Sequence, residues 1–140
     1  MIEVQSLTKR YGKHTAVDDV SFSIQKGEVV GFLGPNGAGK STTMNILTGY
    51  LSASEGDVFV DGMNVLEEPE TVKRRIGYLP ESPPVYGEMT VHEYLTFVCR
   101  IKGVPKNEIT DRIDSGLDTV GIRDVYRRLI GNLSKGYKQR

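Results

Sequence analysis

Residues 34–42 read Gly34-Pro35-Asn36-Gly37-Ala38-Gly39-Lys40-Ser41-Thr42. This stretch matches the pattern G-x-x-x-x-G-K-[ST], a loop whose backbone N–H groups cradle nucleotide phosphates. In such a loop Lys40 reaches the β- and γ-phosphates, and the Ser41 hydroxyl is a ligand of Mg²⁺. The alternative is a glycine-rich turn that matches the pattern by accident.

The residues on either side of the loop favour phosphate binding. Residues 28–33 form a short apolar run, which predicts a buried strand. From Ser41 to Leu51 the apolar residues Met44, Leu47 and Leu51 recur at helical spacing, which predicts a helix with these residues on one face. A strand, a glycine-rich turn and a helix N-terminus together direct N–H groups and partial positive charge at an anion.

The composition excludes several other classes of protein. Hydrophobic residues make up 38% of the 140 residues and charged residues 26%, as in an ordinary folded protein. The 18 basic residues balance the 18 acidic ones, which argues against a chain built mainly to bind nucleic acid. No apolar run approaches the ~20 residues of a membrane span. We therefore expect a cytosolic chain, unless a partner holds it at a membrane.

The remaining strands are predicted from alternation and from short apolar runs. Residues 2–8 and 16–24 alternate apolar and polar side chains, which predicts an antiparallel sheet with one solvated face. Residues 57–60 predict another strand, and residues 76–79 a further short one.

Helices are predicted mainly in the second half of the chain. Pro69 suits the first turn of a short helix that runs to Arg75. Thr90 and Glu93 form a capping box before an apolar stripe that reaches Ile101. A further helix is predicted over residues 105–120, ending at a glycine, and Ser134 is a candidate N-cap for another. Residues 82–87 predict an irregular exposed loop.

Four segments, in this order, resemble the ATP-binding subunit of ABC transporters, and the likeness covers the whole chain. Tyr11 is similar to that family's adenine-stacking aromatic residue, since a phenol ring offers a flat face to the base. Residues 32–42 are close to its Walker A phrase. Glu81 stands at the Q-loop position, and residues 133–137 (Leu-Ser-Lys-Gly-Tyr) resemble the signature motif Leu-Ser-Gly-Gly-Gln.

The chain departs from the family pattern at three of these positions. Glu81 replaces a glutamine; its carboxylate can still face Mg²⁺ and an attacking water, but it adds negative charge near the phosphates. In the signature segment Ser134 and Gly136 match, whereas Lys135 and Tyr137 do not. The form of this segment, together with Leu-Pro-Glu at residues 79–81, is more similar to bacterial export subunits than to importers.

The resemblance implies an α/β fold of the P-loop NTPase, ABC type. Its expected parts are an N-terminal antiparallel β subdomain, a partial parallel core sheet and a helical subdomain, with the chain truncated after the signature motif. The strand-rich nucleotide-binding core would span residues 1–86 and the helical part residues 87–140. The family's Walker B strand, catalytic glutamate, D-loop and switch histidine would lie beyond residue 140. The complete protein is therefore expected to be an ATPase, and the 140 residues alone to be inactive.

The resemblance also implies the ligands and partners. ATP and Mg²⁺ are the expected cofactors, with Tyr11 and residues 34–42 binding the nucleotide and Ser41 and Glu81 the metal. Lys40 and Glu81 would act in catalysis, and Ser134 and Gly136 would act in trans on the nucleotide of a second subunit in a head-to-tail dimer. A transmembrane permease would hold the protein at the inner face of the cell membrane, and no nucleic acid would be bound. The implied function is to drive export through that permease.

Two other classes of function compete with this one. A non-transport ABC module of DNA repair or translation shares the same motifs, although no heptad run typical of the repair type follows the phosphate loop. A small P-loop kinase or GTPase shares only the phosphate loop. Residues 131–137 and the helical half of the chain argue against that second class.

Overall fold

Four strands form one antiparallel sheet in the computed structural model, which describes all 140 residues. The strands are β1 (Ile2–Tyr11), β2 (His14–Ile24), β3 (Glu55–Val60) and β4 (Met63–Asn64). Their spatial order is β2-β1-β3-β4. In β1, Val4 lies opposite Phe22 of β2 and Val58 of β3.

The alternation predicted for the first strand is interrupted by a bulge. The register against β2 shifts between Val4 and Leu7, and both of these residues are buried. Ser6, between them, has a φ of 47°, and its N–H donates to the Ser21 hydroxyl at 2.8 Å. On β3, Gly56 packs so closely that a Cβ would approach the Ser6 carbonyl oxygen to well under 3.0 Å. The bulge therefore requires glycine on the neighbouring strand.

The helix after the phosphate loop, α1, is shorter than its sequence predicts. It spans Lys40–Leu47, and Gly49 then takes a left-handed φ of 67° that ends the helix. Its buried residues are Thr43, Ile46 and Leu47. The predicted face was therefore wrong for Met44, which is exposed.

Two compact units make up the chain, the first Met1–Tyr78 and the second Leu79–Arg140. In the first unit, α2 (Pro69–Arg75) begins at its predicted proline. The sheet and both helices contribute to one hydrophobic core, formed by Val4, Leu7, Val17, Ile46, Leu47, Val58, Val60, Val65 and Val72. The functional division predicted at residues 86–87 stays a prediction.

The second unit is helical, as predicted. It contains α3 (Val91–Ile101), α4 (Ile109–Val120) and α5 (Lys135–Gln139), with 3₁₀ turns at Arg123–Val125 and Ile130–Asn132. The capping box is confirmed, because the Thr90 N–H donates to Glu93 Oε2 at 2.8 Å and the Glu93 N–H donates to Thr90 Oγ1 at 3.2 Å. Hydrogen bonds from the Thr90 N–H and hydroxyl lower the pKa of the Glu93 carboxyl.

The core of the second unit agrees only partly with the predicted apolar stripes. On α4, Ile109, Ile113 and Leu117 are buried, and Gly121 caps the helix in the left-handed conformation. This helix begins at Ile109 rather than at residue 105. Ile101, at the end of the predicted α3 stripe, is 68% exposed. The full set of buried core residues is Val91, Ile109, Ile113, Leu117, Ile122, Val125 and Ile130.

The partial parallel core sheet is not formed, and this part of the prediction is corrected. Residues 28–33 and 76–79, predicted as strands, have no strand hydrogen bonds, and every strand pair in the structure is antiparallel. Val29 and Leu33 are fully exposed, and Phe32 only packs its ring against Phe22, with 5.9 Å between ring centres. A strand is stable only beside another strand, and none of the 140 residues pairs with these segments.

Candidate functional site

The phosphate loop ends in a helix N-terminus that no side chain caps. Gly39 is the N-cap of α1, with a φ of 82° and no side-chain hydrogen bond to the first turn. The N–H groups of the first helical turn have no acceptor within the helix itself. They combine with the positive end of the helix dipole, so this end of α1 is suited to bind an anion.

The Lys40 ammonium folds back across the loop. It donates to the carbonyl oxygens of Gly34 at 2.7 Å and of Pro35 at 2.6 Å. The first and seventh residues of the motif are thereby joined, and a positive charge lies inside the loop. Carbonyl oxygens are weaker acceptors for an ammonium than anionic oxygens are, so a phosphate group can compete for this charge.

Gly39 is held against the second strand of the sheet. A Cβ on Gly39 would meet the Ala16 carbonyl oxygen well inside 3.0 Å and would lie 3.0 Å from Val17 Cγ2. Gly37 has a similar φ of 84° but has open space around its Cβ position. The sheet therefore fixes the end of the loop at Gly39, whereas a Cβ added to Gly37 would meet no atom within 4 Å.

Tyr11 lies on the same strand pair. It is the last residue of β1, pairs with His14 across the hairpin, and is 49% exposed. The hairpin continues along β2 to Ala16, which contacts Gly39. The Lys9 ammonium lies 5.4 Å from the centre of the Tyr11 ring, close enough for a cation–π contact. The hairpin that packs against the loop therefore carries an aromatic ring that is available for stacking.

Sequence reasoning missed Thr43 and Asn45 on the first helix. Thr43 is buried, and its hydroxyl donates to the Gly39 carbonyl oxygen at 3.0 Å, which adds a second bond to this turn. A threonine four residues after a helix N-cap is the signal for such a bond. Asn45 Oδ1 accepts a hydrogen bond from the Tyr78 hydroxyl at 3.2 Å. No local sequence signal indicates that pairing, because the two residues are 33 positions apart.

The remaining predicted site residues lie in the second unit. Glu81 is exposed, and its carbonyl oxygen accepts a hydrogen bond from Gln139 Nε2 on α5 at 3.3 Å. With Lys135, Lys138 and other residues it lines an open depression of about 410 Å³. The signature segment and the Glu81 loop are therefore brought together within this unit. Tyr11 and residues 34–42 lie in the first unit.

The predicted N-cap at Ser134 is confirmed. Ser134 Oγ accepts a hydrogen bond from the Tyr137 N–H at 3.4 Å, and both Ser134 and Gly136 are exposed. The motif therefore presents a hydroxyl and a glycine backbone at the start of a short exposed helix.

Comparison with known proteins decides the family. The model of the family described as "ABC transporter" matches residues 17–140. The chain belongs to this family. The α/β fold predicted from the sequence is likewise that of ABC ATP-binding domains.

Relatives of this ABC family chain include several bacterial transporter subunits. It is 41% identical to an uncharacterized ABC transporter ATP-binding protein of Bacillus subtilis (strain 168), over all of this chain and 46% of that protein. It is 35% identical to a bacitracin transport ATP-binding protein of Bacillus licheniformis, over all of this chain and 45% of that protein. The chain thus spans about half the length of these curated relatives.

A third relative and one solved structure agree with this assignment. The SkfA peptide export ATP-binding protein of Bacillus subtilis (strain 168) is 36% identical over all of the ABC family chain and 58% of its own length. The solved structure of an ATP-binding subunit of an ABC transporter superimposes with a TM-score of 0.88 at 32% identity. That superposition covers 99% of this chain and 57% of the other.

No helix of the ABC family chain has both the length and the apolar character to cross a membrane. No group of three or more His, Cys, Asp or Glu side chains is arranged to hold a metal ion. Ser41, on the first turn of α1, is exposed.

Proposed function

We propose that this chain forms the nucleotide-binding part of an energy-coupling ABC subunit, with ATP bound at residues 34–42. The observation that supports the proposal most directly is the uncapped N-terminus of α1 with the Lys40 ammonium folded into the loop before it. Both features are suited to the negatively charged terminal phosphates of a nucleotide. Tyr11 would stack on the base, and its position on the hairpin beside Gly39 supports that role.

A magnesium ion fits the chemistry of the loop. Mg²⁺ is usually bound through one or two protein oxygens, several waters and the oxygens of substrate phosphates, so a single hydroxyl at the loop is sufficient. Ser41 would supply that hydroxyl. When bound, Mg²⁺ would neutralise charge on the phosphates. The Lys40 ammonium and the helix N–H groups would orient the phosphates for attack.

The subunit would work as a head-to-tail pair. Ser134 and Gly136 are exposed at the start of α5, where they are accessible to a second copy. We propose that they contact the γ-phosphate bound by that second copy, so that ATP joins the pair and hydrolysis releases it. The named activities of two relatives, bacitracin transport and SkfA peptide export, support an export role. A membrane permease would then hold the protein at the inner face of the membrane.

Lys40→Ala tests the nucleotide site. We expect it to remove most affinity for a fluorescent ATP analogue, because the variant lacks the charge that faces the terminal phosphates. Lys26→Ala is the matched control, since Lys26 is an exposed lysine beyond the opposite end of β2. Unchanged binding in Lys40→Ala would refute the assignment of the phosphate loop.

Ser134→Arg tests the role in trans, using the complete gene product. We expect lower ATP turnover and weaker ATP-driven pairing, with little change in ATP binding to the monomer. Asn132→Arg adds the same charge at a nearby exposed position and should have a smaller effect. Equal losses of monomer binding and turnover in Ser134→Arg would contradict the trans geometry.

The 140 residues alone should bind nucleotide weakly and hydrolyse none. Phosphoryl transfer depends on positioning and charge stabilisation by several groups at once. Phosphate release by the purified chain, measured with and without Mg²⁺ and against Lys40→Ala, tests this proposal. Mg²⁺-dependent release that disappears in Lys40→Ala would show that these residues suffice for catalysis.

A further inference from the structure

Tyr137 connects α5 to the 3₁₀ turn at Arg123–Val125. Its hydroxyl donates to Asp124 Oδ2 at 3.0 Å. Its ring is half-buried and packs against the core of the second unit. The side chain is therefore fixed both by packing of its ring and by a charge-assisted hydrogen bond at its end.

None of the residues Lys135–Gln139 of α5 is buried. Its other side-chain hydrogen bonds are longer: Lys138 Nζ donates to the Gly131 carbonyl oxygen at 3.4 Å, and Gln139 Nε2 to that of Glu81 at 3.3 Å. The hydrogen bond from Tyr137 to Asp124 is the shortest side-chain hydrogen bond from α5.

Asp124, the acceptor of this hydrogen bond, lies on a turn that is held in place by its neighbours. Val125, next to Asp124, is 1% exposed and belongs to the core of the second unit. Arg123 donates to Asp118 Oδ1 at 2.6 Å and to Asp114 Oδ1 at 3.0 Å, which joins the turn to α4. Asp124 is thus an acceptor on a turn that is fixed on both sides.

We propose that Tyr137 and Asp124 are a positioning pair that sets the orientation of Ser134 and Gly136 for contact with the nucleotide of a second copy. Tyr137 lies only one residue after Gly136, and its N–H is the group that Ser134 Oγ accepts from. A rotation of α5 about its own axis would therefore move the Ser134 hydroxyl and the Gly136 backbone together. This inference rests on the proposed trans role of the signature segment.

Tyr137→Phe tests the pair in the complete gene product, because it removes the hydroxyl and keeps the ring. We expect ATP turnover at saturation and ATP-driven pairing to fall by about three- to tenfold, the range of one hydrogen bond, with ATP binding to the monomer unchanged. Asp124→Ala should have the same effect, and the double variant should be no worse than either single one. Asp124→Asn keeps an acceptor oxygen and should restore most of the turnover.

Tyr126→Phe is the matched control. It removes a tyrosine hydroxyl in the same unit, one that contacts His92 Nδ1 on α3 and not α5. It should leave turnover and pairing near those of the unmodified protein. Equal losses in Tyr126→Phe and Tyr137→Phe would overturn the proposal, since they would indicate a general loss of stability in this unit.

Ser134→Arg separates failure of this inference from failure of the proposed function. If Ser134→Arg abolishes pairing while Tyr137→Phe turns over ATP normally, the positioning pair is refuted and the trans role stands. If Ser134→Arg leaves pairing unchanged, the trans role fails, and the positioning pair fails with it. Melting temperatures of all variants should differ little, because each retains its buried side chains.

Discussion

Gly39→Ala should destabilise the first unit and weaken nucleotide binding in the same variant. Gly39 has a φ of 82°, and an added Cβ would meet the Ala16 carbonyl oxygen well inside 3.0 Å, a distance that real Cβ atoms essentially never cross. The neighbouring atom belongs to the backbone of β2, so it cannot rotate away as a flexible side chain would. Either the loop or the strand must shift.

The expected cost follows from three contributions. A left-handed backbone costs alanine about 1–2 kcal/mol, and overpacking against a fixed neighbour adds about 1–3 kcal/mol. The loss of chain entropy in the unfolded state offsets about 0.4–1 kcal/mol of this. The free energy of unfolding should therefore fall by about 1–5 kcal/mol, a large part of the stability of a small unit.

Gly37→Ala is the matched control for this substitution. Gly37 has nearly the same φ, 84°, and nothing lies within 4 Å of its Cβ position. It should show the backbone cost alone, so its net effect should be about 0–2 kcal/mol. The difference between the two variants measures the contact with Ala16.

Urea unfolding followed by circular dichroism and tyrosine fluorescence measures both variants, and the chain contains no tryptophan to complicate the signal. Titration with a fluorescent ATP analogue then compares their affinities. Equal unfolding midpoints for Gly39→Ala and Gly37→Ala would refute the close packing of the loop on β2.

Three further predictions follow from the same structure. Tyr11→Ala should weaken ATP and GTP binding alike, because stacking depends on the face of a ring; a loss confined to ATP in competition titrations would contradict stacking. Hydrogen bonds from the Thr90 cap lower the pKa of Glu93 in the folded state, so its contribution to stability is present above the ordinary carboxyl pKa and is lost as the pH falls through the lowered one. Glu93→Gln should flatten the decline of urea midpoints over this acid range, and an unchanged slope would argue against the cap. Leu117→Ala, at 1% exposure, should cost about 2–5 kcal/mol in urea unfolding, whereas Ile101→Ala, at 68% exposure, should cost about 0.5 kcal/mol or less; similar losses would contradict the observed burial.

Features that depend on a few neighbouring residues were predictable from the sequence. The capping box at Thr90 and Glu93, the glycine C-cap at Gly121 and the N-cap at Ser134 all appear as predicted. The start of α1 directly after Gly39 also agrees with the phosphate-loop pattern. Each of these is decided by hydrogen bonds within one helical turn, so the information lies in adjacent residues.

The parts of the site that depend on distant residues were not predictable in this way. Position 39 requires glycine because of Ala16, which lies on β2. The hydrogen bond that holds Tyr137 of α5 has Asp124 as its acceptor, thirteen residues earlier in the chain. Thr43, by contrast, bonds only four residues back, and its local signal was overlooked. Pairwise contacts between separate segments leave no periodic pattern in the sequence.

The sequence by itself determined the family, the position of the phosphate loop and the ends of most helices. Tertiary structure alone decided which predicted strands formed: residues 2–11 and 55–60 pair with each other, while none of the 140 residues pairs with residues 28–33. It also decided the bulge at Ser6, because that bulge needs Gly56 opposite. A helix satisfies its backbone hydrogen bonds internally, but a strand does so only through another segment, which local sequence does not specify.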